Sequence, residues 1–321
     1  MDYAENLQKS VAYLQSDEAV RSLRADPYWP KWNSTWWHML LLHEMGATEL
    51  IPSSIVGVYI QCLKHYSVKH FPIQPDEMPA GVDPYRDCPC HCQLGNVYQV
   101  LAARGVDVDR ELPWMRPWFL RYQMSDGGLN CDNDAYLVQK EVPSSMVGTI
   151  ACFEAVLMYT PRPWTAEEIQ FLDRAANFLM TRELRLGSAT QHNASERESA
   201  KLWTELIFPR YYFYDVLRGL SALTLWAEKR GVQLPPQGIQ NVVSDLKKRF
   251  PSGDVTIGRQ GFAGSKTLAQ GPTGEWLWGQ PASVFPLLLQ VSQVGEPSPW
   301  LSDHWSDCLE RLPAITSEPG I

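Results

Sequence analysis

Residues 144–160, SSMVGTIACFEAVLMYT, carry apolar side chains around almost the whole circumference of a helix drawn through them. A helix that is apolar on all sides must be buried on all sides. The segment before it, residues 111–124, combines apolar and charged residues, which is typical of a helix with one face in solvent. The sequence therefore predicts a buried helix that follows a half-exposed one.

The same succession returns along the 321-residue chain. Four further apolar segments follow more polar ones: 33–46 (NSTWWHMLLLHEMG), 90–105 (CHCQLGNVYQVLAARG), 211–231 (YYFYDVLRGLSALTLWAEKRG) and 280–295 (QPASVFPLLLQVSQVG), and each ends in a glycine typical of a helix C-terminus. The first two of these glycines are 59 residues apart, whereas solenoid repeats are usually about 34–47 residues long. We expect an all-α fold, an α/α toroid whose inner ring of apolar helices lies inside an outer ring, with about five to six helical hairpins. A solenoid and an irregular helical bundle are the alternatives.

We expect residues 1–321 to form one such toroid domain. Polar or glycine-rich composition predicts mobile loops near 185–203 and 252–279. Strand patterns are weak, although GDVTIGRQGF at 253–262 is consistent with a short hairpin or a loop.

Composition limits the classes of partner and location. The chain has 36 acidic and 28 basic residues, a net charge of −8 and no basic block, so nucleic acid is not an expected partner. No apolar run reaches the length of a membrane-spanning helix, and the polar start does not resemble a signal peptide. Seven cysteines, an odd number, predict reduced thiols and a cytoplasmic location. The oligomeric state stays open.

Two stretches resemble a known superfamily. In RPWFLRYQMSDGGLNCD, 116–132, Phe119 and Leu120 precede Gln123 and the run Asp126-Gly127-Gly128. This pattern resembles the repeats of the terpenoid cyclase and protein prenyltransferase superfamily, to which squalene–hopene cyclases belong, with Leu129 where tryptophan is usual. The stretch FPRYYFYDVLRGLSAL, 208–223, resembles the tyrosine-rich start of an inner helix in the same superfamily. The resemblance implies a toroid with a central apolar cavity and working residues at the starts of inner helices.

The chain departs from both known chemistries of that superfamily. The helix that would begin with the Asp-x-Asp-Asp acid motif of the cyclases begins PSSMVGTIA here. The zinc-binding pattern of the prenyltransferases is incomplete, because Cys90 falls near the family cysteine but Tyr212 stands where the family has histidine. A prenyl diphosphate substrate is therefore not expected.

The run CPCHC, 88–92, has three interpretations. The cysteines are small buried residues, or they bind a metal, or one of them is a nucleophile whose pKa is lowered by a helix N-terminus, with His91 or Asp215 as its partner. Thiolates and imidazole suit zinc or another soft metal ion. The metal hypothesis uses Cys88, Cys90, His91 and Cys131, with Asp132 as an alternative fourth ligand.

Other candidate residues lie near the predicted inner-helix starts. A carboxyl group that faces an apolar cavity has a raised pKa and suits general acid chemistry. The predicted catalytic residues are Asp132, Asp215, Tyr214, Cys90 and His91. The residues predicted to line a substrate cavity are Trp32, Trp36, His38, Tyr212 and Trp278, and ordinary core packing is the alternative for the aromatic residues and for His38.

These patterns together predict an enzyme that acts on a small, largely apolar substrate in the central cavity. We expect metal-assisted or acid–base chemistry, with cyclisation or isomerisation implied by the resemblance alone. The alternatives are a cysteine-dependent hydrolase or transferase on the same scaffold, and a non-catalytic protein that binds a hydrophobic ligand.

Overall fold

The computed structural model describes residues 2–65 and 91–316. Of these residues 56% are helical, in 14 α-helices with one two-stranded sheet, so the all-α prediction is confirmed. The helices are α1 (Tyr3–Leu14), α2 (Asp17–Ala25), α3 (Thr35–Glu44), α4 (Ser53–His65), α5 (His91–Ala103), α6 (Val108–Glu111), α7 (Met115–Arg121), α8 (Met146–Tyr159), α9 (Ala166–Thr181), α10 (Ser195–Ala200), α11 (Val216–Arg230), α12 (Gln240–Arg249), α13 (Pro286–Val291) and α14 (Pro299–Ile315).

The apolar segments form the interior. Helices α3, α5, α8 and α11 occur within the segments that the sequence predicts, and most of their residues are buried. They pack in chain order, α3 on α5, α5 on α8, α8 on α11, and α11 on α14. Helix α11 ends as predicted at Gly231, whose left-handed backbone (φ 63°) suits a residue without a side chain. Helix α9 is amphipathic as predicted and begins with a capping box between Thr165 and Glu168.

The fifth apolar segment, 280–295, differs from the prediction of a long buried helix. Its first residues belong to a β-strand, and α13 has only six residues. Pro286 explains the late start, because proline has no N–H and is tolerated in the first turn of a helix but not in its interior. The place beside α11 is taken instead by α14.

The C-terminal part of the chain returns to the N-terminal helices. Helix α13 packs on α1, and α1 also contacts α3. Trp300 at the start of α14 donates its indole N–H to the carbonyl of Met45 (3.0 Å). The backbone N–H of Trp32 donates to the carbonyl of Ser283 (3.1 Å). These contacts join segments from opposite ends of the sequence.

The segments predicted as loops contain regular structure. Strands β1 (Lys266–Gln270) and β2 (Trp276–Pro281) form an antiparallel hairpin within and just beyond the 252–279 segment. The short hairpin suggested for 253–262 is not formed. Thr256 instead makes an isolated bridge with Pro297, and Arg259 makes one with Ile207. The 185–203 segment contains α10 and ends at the buried Trp203.

Within residues 2–65 and 91–316, no helix combines the length and the apolar character that crossing a bilayer requires.

Helices α5 and α8 approach each other very closely at Gly95 of α5. A Cβ atom there would lie 2.5 Å from the backbone nitrogen of Cys152 in α8, and nearer still to the carbonyl carbon of Ala151. Only glycine lets the two backbones come this close, because no flexible side chain is available to move aside. Gly95 therefore fixes the α5–α8 contact, which lies in the middle of the row of apolar helices.

We predict that Gly95→Ala lowers the free energy of unfolding by about 1–3 kcal/mol, since the added methyl group forces α5 and α8 apart. The matched control is Gly57→Ala in α4, where the added Cβ would meet nothing within 4 Å. That change should stabilise the protein by roughly 0.5–1 kcal/mol, because alanine loses less backbone entropy on folding. Urea unfolding followed by circular dichroism measures both. Equal effects of the two substitutions would contradict the packing argument.

Candidate functional site

A cavity of about 150 Å³ lies between the apolar helices. Five helices (α3, α5, α8, α11 and α14) and the segment before α11 contribute to its wall. Its lining residues are Leu40, His43, Glu44, Asn96, Gln99, Glu154, Met158, Tyr159, Phe208, Arg210, Arg218, Trp300, Leu301 and His304. The wall is thus rich in charged and titratable groups, although the helices that carry them are mostly apolar.

Arg218 of α11 is the most fully bonded of these groups. Its Nε and Nη2 donate to the carboxylate of Glu154 on α8, at 2.9 and 2.6 Å. Its Nη1 donates to the carbonyls of Tyr211 (2.9 Å) and Phe213 (2.8 Å), and Nη2 also reaches Asn96 Oδ1 at 3.3 Å. Because the guanidinium has five N–H donors, these bonds satisfy it and tie α5, α8 and α11 to one loop.

Glu44 stands at the end of α3 and holds that same loop from the other side. Its Oε2 accepts the backbone N–H of Arg210 (2.6 Å), and its Oε1 accepts that of Tyr211 (2.5 Å). Burial raises the pKa of the Glu44 carboxyl, and the charge of Arg218 and the two backbone hydrogen bonds offset this only in part. Glu44 is therefore a carboxylate with increased basicity in a cavity wall.

Arg210 is bonded far less completely than Arg218. Its Nη1 donates to His304 Nδ1 at 3.3 Å, and its Nε lies 3.4 Å from Asp215 Oδ2. Its Nη2 has no hydrogen-bond partner among the described residues, although the side chain is only 8% exposed. A buried guanidinium with incomplete bonding is unusual, since buried polar groups are nearly always hydrogen-bonded.

The two histidines of the cavity are neutral. Burial, with a further contribution from Arg210, lowers the pKa of His304 to about 3, and burial together with Arg218 lowers the pKa of His43 to about 4. A guanidinium N–H can only donate, so His304 Nδ1 accepts the bond from Arg210 and the ring proton resides on Nε2. Neutral His304 therefore presents an N–H donor. His43 shares a 3.1 Å hydrogen bond with Thr48 Oγ1.

The cavity wall thus combines a basic carboxylate with a neutral imidazole donor. Arg210 connects the two, because its backbone N–H binds Glu44 and its guanidinium binds His304. Environments that shift the pKa values of neighbouring titratable groups in this way are typical of acid–base sites.

The predicted catalytic residues Asp215 and Tyr214 lie elsewhere. Asp215 is fully buried and caps α11, where it accepts the backbone N–H of Arg218 (2.8 Å) and that of Ile207 (3.2 Å). The Tyr214 hydroxyl donates to the carbonyl of Leu184 (2.9 Å). Both side chains are bound to backbone groups, and neither belongs to the wall of the cavity.

Asp132, the other predicted general acid, lies at the surface. Its side chain is 54% exposed and pairs with His192 at 2.7 Å. The carboxylate also caps a short turn by accepting the backbone N–H of Asp134 (3.0 Å). The sequence argument required a carboxyl group inside an apolar cavity, and this side chain is not in one.

The predicted metal ligands fall into two groups. Cys88 and Cys90, the latter also predicted as catalytic, lie outside the described residues. His91 begins α5 fully buried and donates Nδ1–H to the carbonyl of Asn130 (2.7 Å), while Cys131 Sγ accepts the backbone N–H of Cys92 (3.4 Å). His91 and Cys131 therefore meet at one corner of the fold.

A histidine that donates one ring N–H to a carbonyl is arranged as metal-binding histidines usually are. The donor set at His91 is in this respect compatible with zinc. In the parts of the chain that the structure covers, no group of three or more His, Cys, Asp or Glu residues is placed to hold a metal ion. Zinc at this corner stays a prediction.

The five residues predicted to line a substrate cavity are not in the wall of the charged cavity. Trp32 and Trp36 are buried in the core, where Trp32 donates to Ser265 Oγ (2.6 Å). His38 stacks on Phe285 and shares a 2.7 Å hydrogen bond with Ser10. The two remaining residues make separate contacts. Tyr212 accepts a hydrogen bond from Lys31 (2.9 Å). Trp278 is 56% exposed and packs edge-on against Trp29.

The charged residues of the cavity were not selected by the sequence argument. A usable pattern exists, because Glu154 is a single acid within the apolar run GTIACFEAVLMY. Such an acid is costly to bury without a partner, so it predicts a buried basic residue on another helix. Arg218, in the first turn of α11, the next of the apolar helices along the chain, was the available candidate.

No protein-family model matches the chain, and comparisons with curated proteins and with solved structures gave no significant match.

We predict that Glu154→Gln lowers the free energy of unfolding by about 3–5 kcal/mol, because Arg218 then keeps its charge in the interior without the carboxylate to which it is hydrogen-bonded. The control is Glu5→Gln, which removes an exposed pair with Lys9 of similar length (2.7 Å). That change should cost less than about 0.5 kcal/mol. Thermal unfolding of the two variants measures both effects. If the Glu154 variant were as stable as the Glu5 variant, the ion pair between Arg218 and Glu154 would not stabilise the interior.

We predict that stability falls as the pH decreases from about 6.5, the ordinary histidine value, towards 4. Burial holds the pKa of His38 and His304 at about 3 and that of His43 at about 4. The unfolded chain then binds protons that the folded protein does not, so each such histidine costs up to about 1.4 kcal/mol per pH unit in this range. Urea unfolding at pH 7 and 5 should show a smaller loss for His38→Gln than for the unaltered protein. Identical losses would mean that His38 is not buried in its neutral form.

Proposed function

We propose that the helices form an α/α toroid and that the chain is a divergent relative of the terpenoid cyclase and protein prenyltransferase superfamily. Two observations support a closed ring. Helices α3, α5, α8, α11 and α14 pack side by side in a row, and the C-terminal part of the chain contacts α1 and α3. The superfamily-like motif connects two helices. Gln123 donates to the carbonyls of Gly127 and Phe171 (both 2.8 Å), which ties the end of α7 to α9.

We propose further that the protein is an enzyme of the isomerase type, which moves a proton within a small polar molecule held in the charged cavity. The observation that carries this proposal is the joint placement of Glu44 and His304 on Arg210. A carboxylate with a raised pKa is a suitable base near neutral pH, and a neutral imidazole N–H polarises a carbonyl oxygen without releasing its proton.

The proposed reaction begins at a C–H bond beside a carbonyl group. The Glu44 carboxylate takes the proton, and the electron pair of the C–H bond moves towards the carbonyl oxygen, which accepts a hydrogen bond from His304 Nε2–H. Return of the proton to the same carbon, or its delivery to the enolate oxygen to give the enol, completes the cycle. No electrons are gained or lost, so the step needs no oxidant and no reductant.

The size and polarity of the cavity favour a different substrate from the one that the resemblance implies. A cavity of about 150 Å³ is comparable to an engineered apolar cavity that holds benzene. A wall with two carboxylates and two guanidinium groups is unfavourable for an apolar molecule such as a long isoprenoid chain. These properties also weigh against simple binding of a hydrophobic ligand.

The other chemical hypotheses stay predictions. A cysteine nucleophile depends on Cys90, outside the described residues, or on Cys92, which is buried in α5. Metal-assisted chemistry depends on the corner at His91. The cytoplasmic location is also a proposal, which the odd number of cysteines in the sequence supports.

The test is exchange of carbon-bound hydrogen for deuterium, followed by proton NMR, with short aldehydes, ketones and oxo acids as probes. Glu44→Gln and His304→Gln should each slow exchange by about 100-fold or more, because each removes one of the two proton-handling groups. Asp132→Asn is the control and should leave the rate unchanged, since Asp132 lies at the surface. Exchange that survives Glu44→Gln, or a protein that exchanges none of the probes, would exclude this function.

A further inference from the structure

Arg210 and Arg218 differ in a way that indicates which chemical group the cavity binds. Both guanidinium groups are buried in the wall of one cavity, and Arg218 uses its donors on Glu154, Asn96 and two carbonyls. Arg210 has only the long bond to His304 and the 3.4 Å approach to Asp215, and its Nη2 has no partner among the described residues. A planar oxyanion is the group that fits a guanidinium of this kind best, since it accepts two parallel hydrogen bonds.

We propose that the ligand carries a carboxylate, which binds Arg210, and that the substrate class is the short 2-oxo carboxylic acids. This inference rests on the proposed function for the part of the ligand that reacts. His304 lines the same cavity and is bonded to Arg210 through Nδ1, so its Nε2–H is left as a donor for a second group of the ligand. A 2-oxo acid offers two acceptors, a carboxylate and a ketone oxygen, within one small molecule.

The charges around the cavity favour a single negative charge on the ligand. Each nearby carboxylate already has donors of its own. Glu154 is held by Arg218, Glu44 accepts two backbone N–H groups, and Asp215 accepts two more at the start of α11. Arg210, in contrast, has more N–H donors than there are acceptors bound to it. A phosphate would bring almost two negative charges close to three carboxylates, which is unfavourable at short range.

The volume limits the length of the acid. Benzene, which an engineered cavity of about this size holds, has six non-hydrogen atoms. Pyruvate also has six, and it contains the carboxylate, the ketone and the exchangeable methyl hydrogens that the site requires. Pyruvate is therefore the probe of choice, and methyl pyruvate is its uncharged counterpart with the same ketone.

The experiment is titration calorimetry of the full chain with pyruvate, methyl pyruvate and inorganic phosphate. Pyruvate should bind at least about tenfold more tightly than either of the others, because it alone offers a monoanionic carboxylate to Arg210. Arg210→Gln should weaken pyruvate by about tenfold or more and leave methyl pyruvate unchanged. Arg210→Lys, which retains the charge, serves if the glutamine variant does not fold. Equal binding of the ester, tighter binding of phosphate, or no binding of pyruvate would overturn the inference.

Binding and exchange, both measured on the unaltered protein, separate this inference from the proposed function. If the unaltered protein binds pyruvate through Arg210 but does not exchange its methyl hydrogens, the carboxylate site stands and the isomerase proposal is excluded. If the protein exchanges the carbon-bound hydrogens of an uncharged ketone but does not bind pyruvate, the proposed reaction stands and the carboxylate site is excluded.

Discussion

The ion pair between Arg218 and Glu154 is the interaction on which the interior depends. It lies between α11 and α8, and the same guanidinium binds Asn96 of α5 and two carbonyls of the loop that precedes α11. That loop carries Arg210, whose backbone is in turn fixed by Glu44. The cavity therefore has a wall of defined shape because one arginine fixes three helices and one loop together.

A cluster of buried charged groups is not the most stabilising way to fill a protein interior. Buried ion pairs are often no more stabilising than well-packed apolar side chains of the same size. The helices around the cavity offer ample apolar surface, yet they direct two acids, two arginines and two histidines towards one small space. Retention of these groups at a cost in stability is typical of a functional site rather than of a core.

The sequence predicts the helices better than the site, for a physical reason. Periodicity is a local property, so α3, α5, α8 and α11 could be recognised from their own residues, although α7 and α11 are shorter than the predicted segments and Pro286 shortened α13. The cavity is built from residues as distant as Glu44 and His304, and no local pattern records that they meet. Asp215 is another example. The sequence shows that a charged residue lies there, but its use as the N-terminal cap of α11 depends on backbone geometry that the sequence does not show.

The contact between Trp300 and Met45 also has a consequence for synthesis of the protein. The two residues are 255 positions apart, so at about 5–20 residues per second the ribosome needs roughly 10–50 s to deliver the partner of α3. During that time the apolar surface that α14 and α13 later cover is open to water. The wall of the cavity cannot be complete before then, because Leu301 and His304 belong to it.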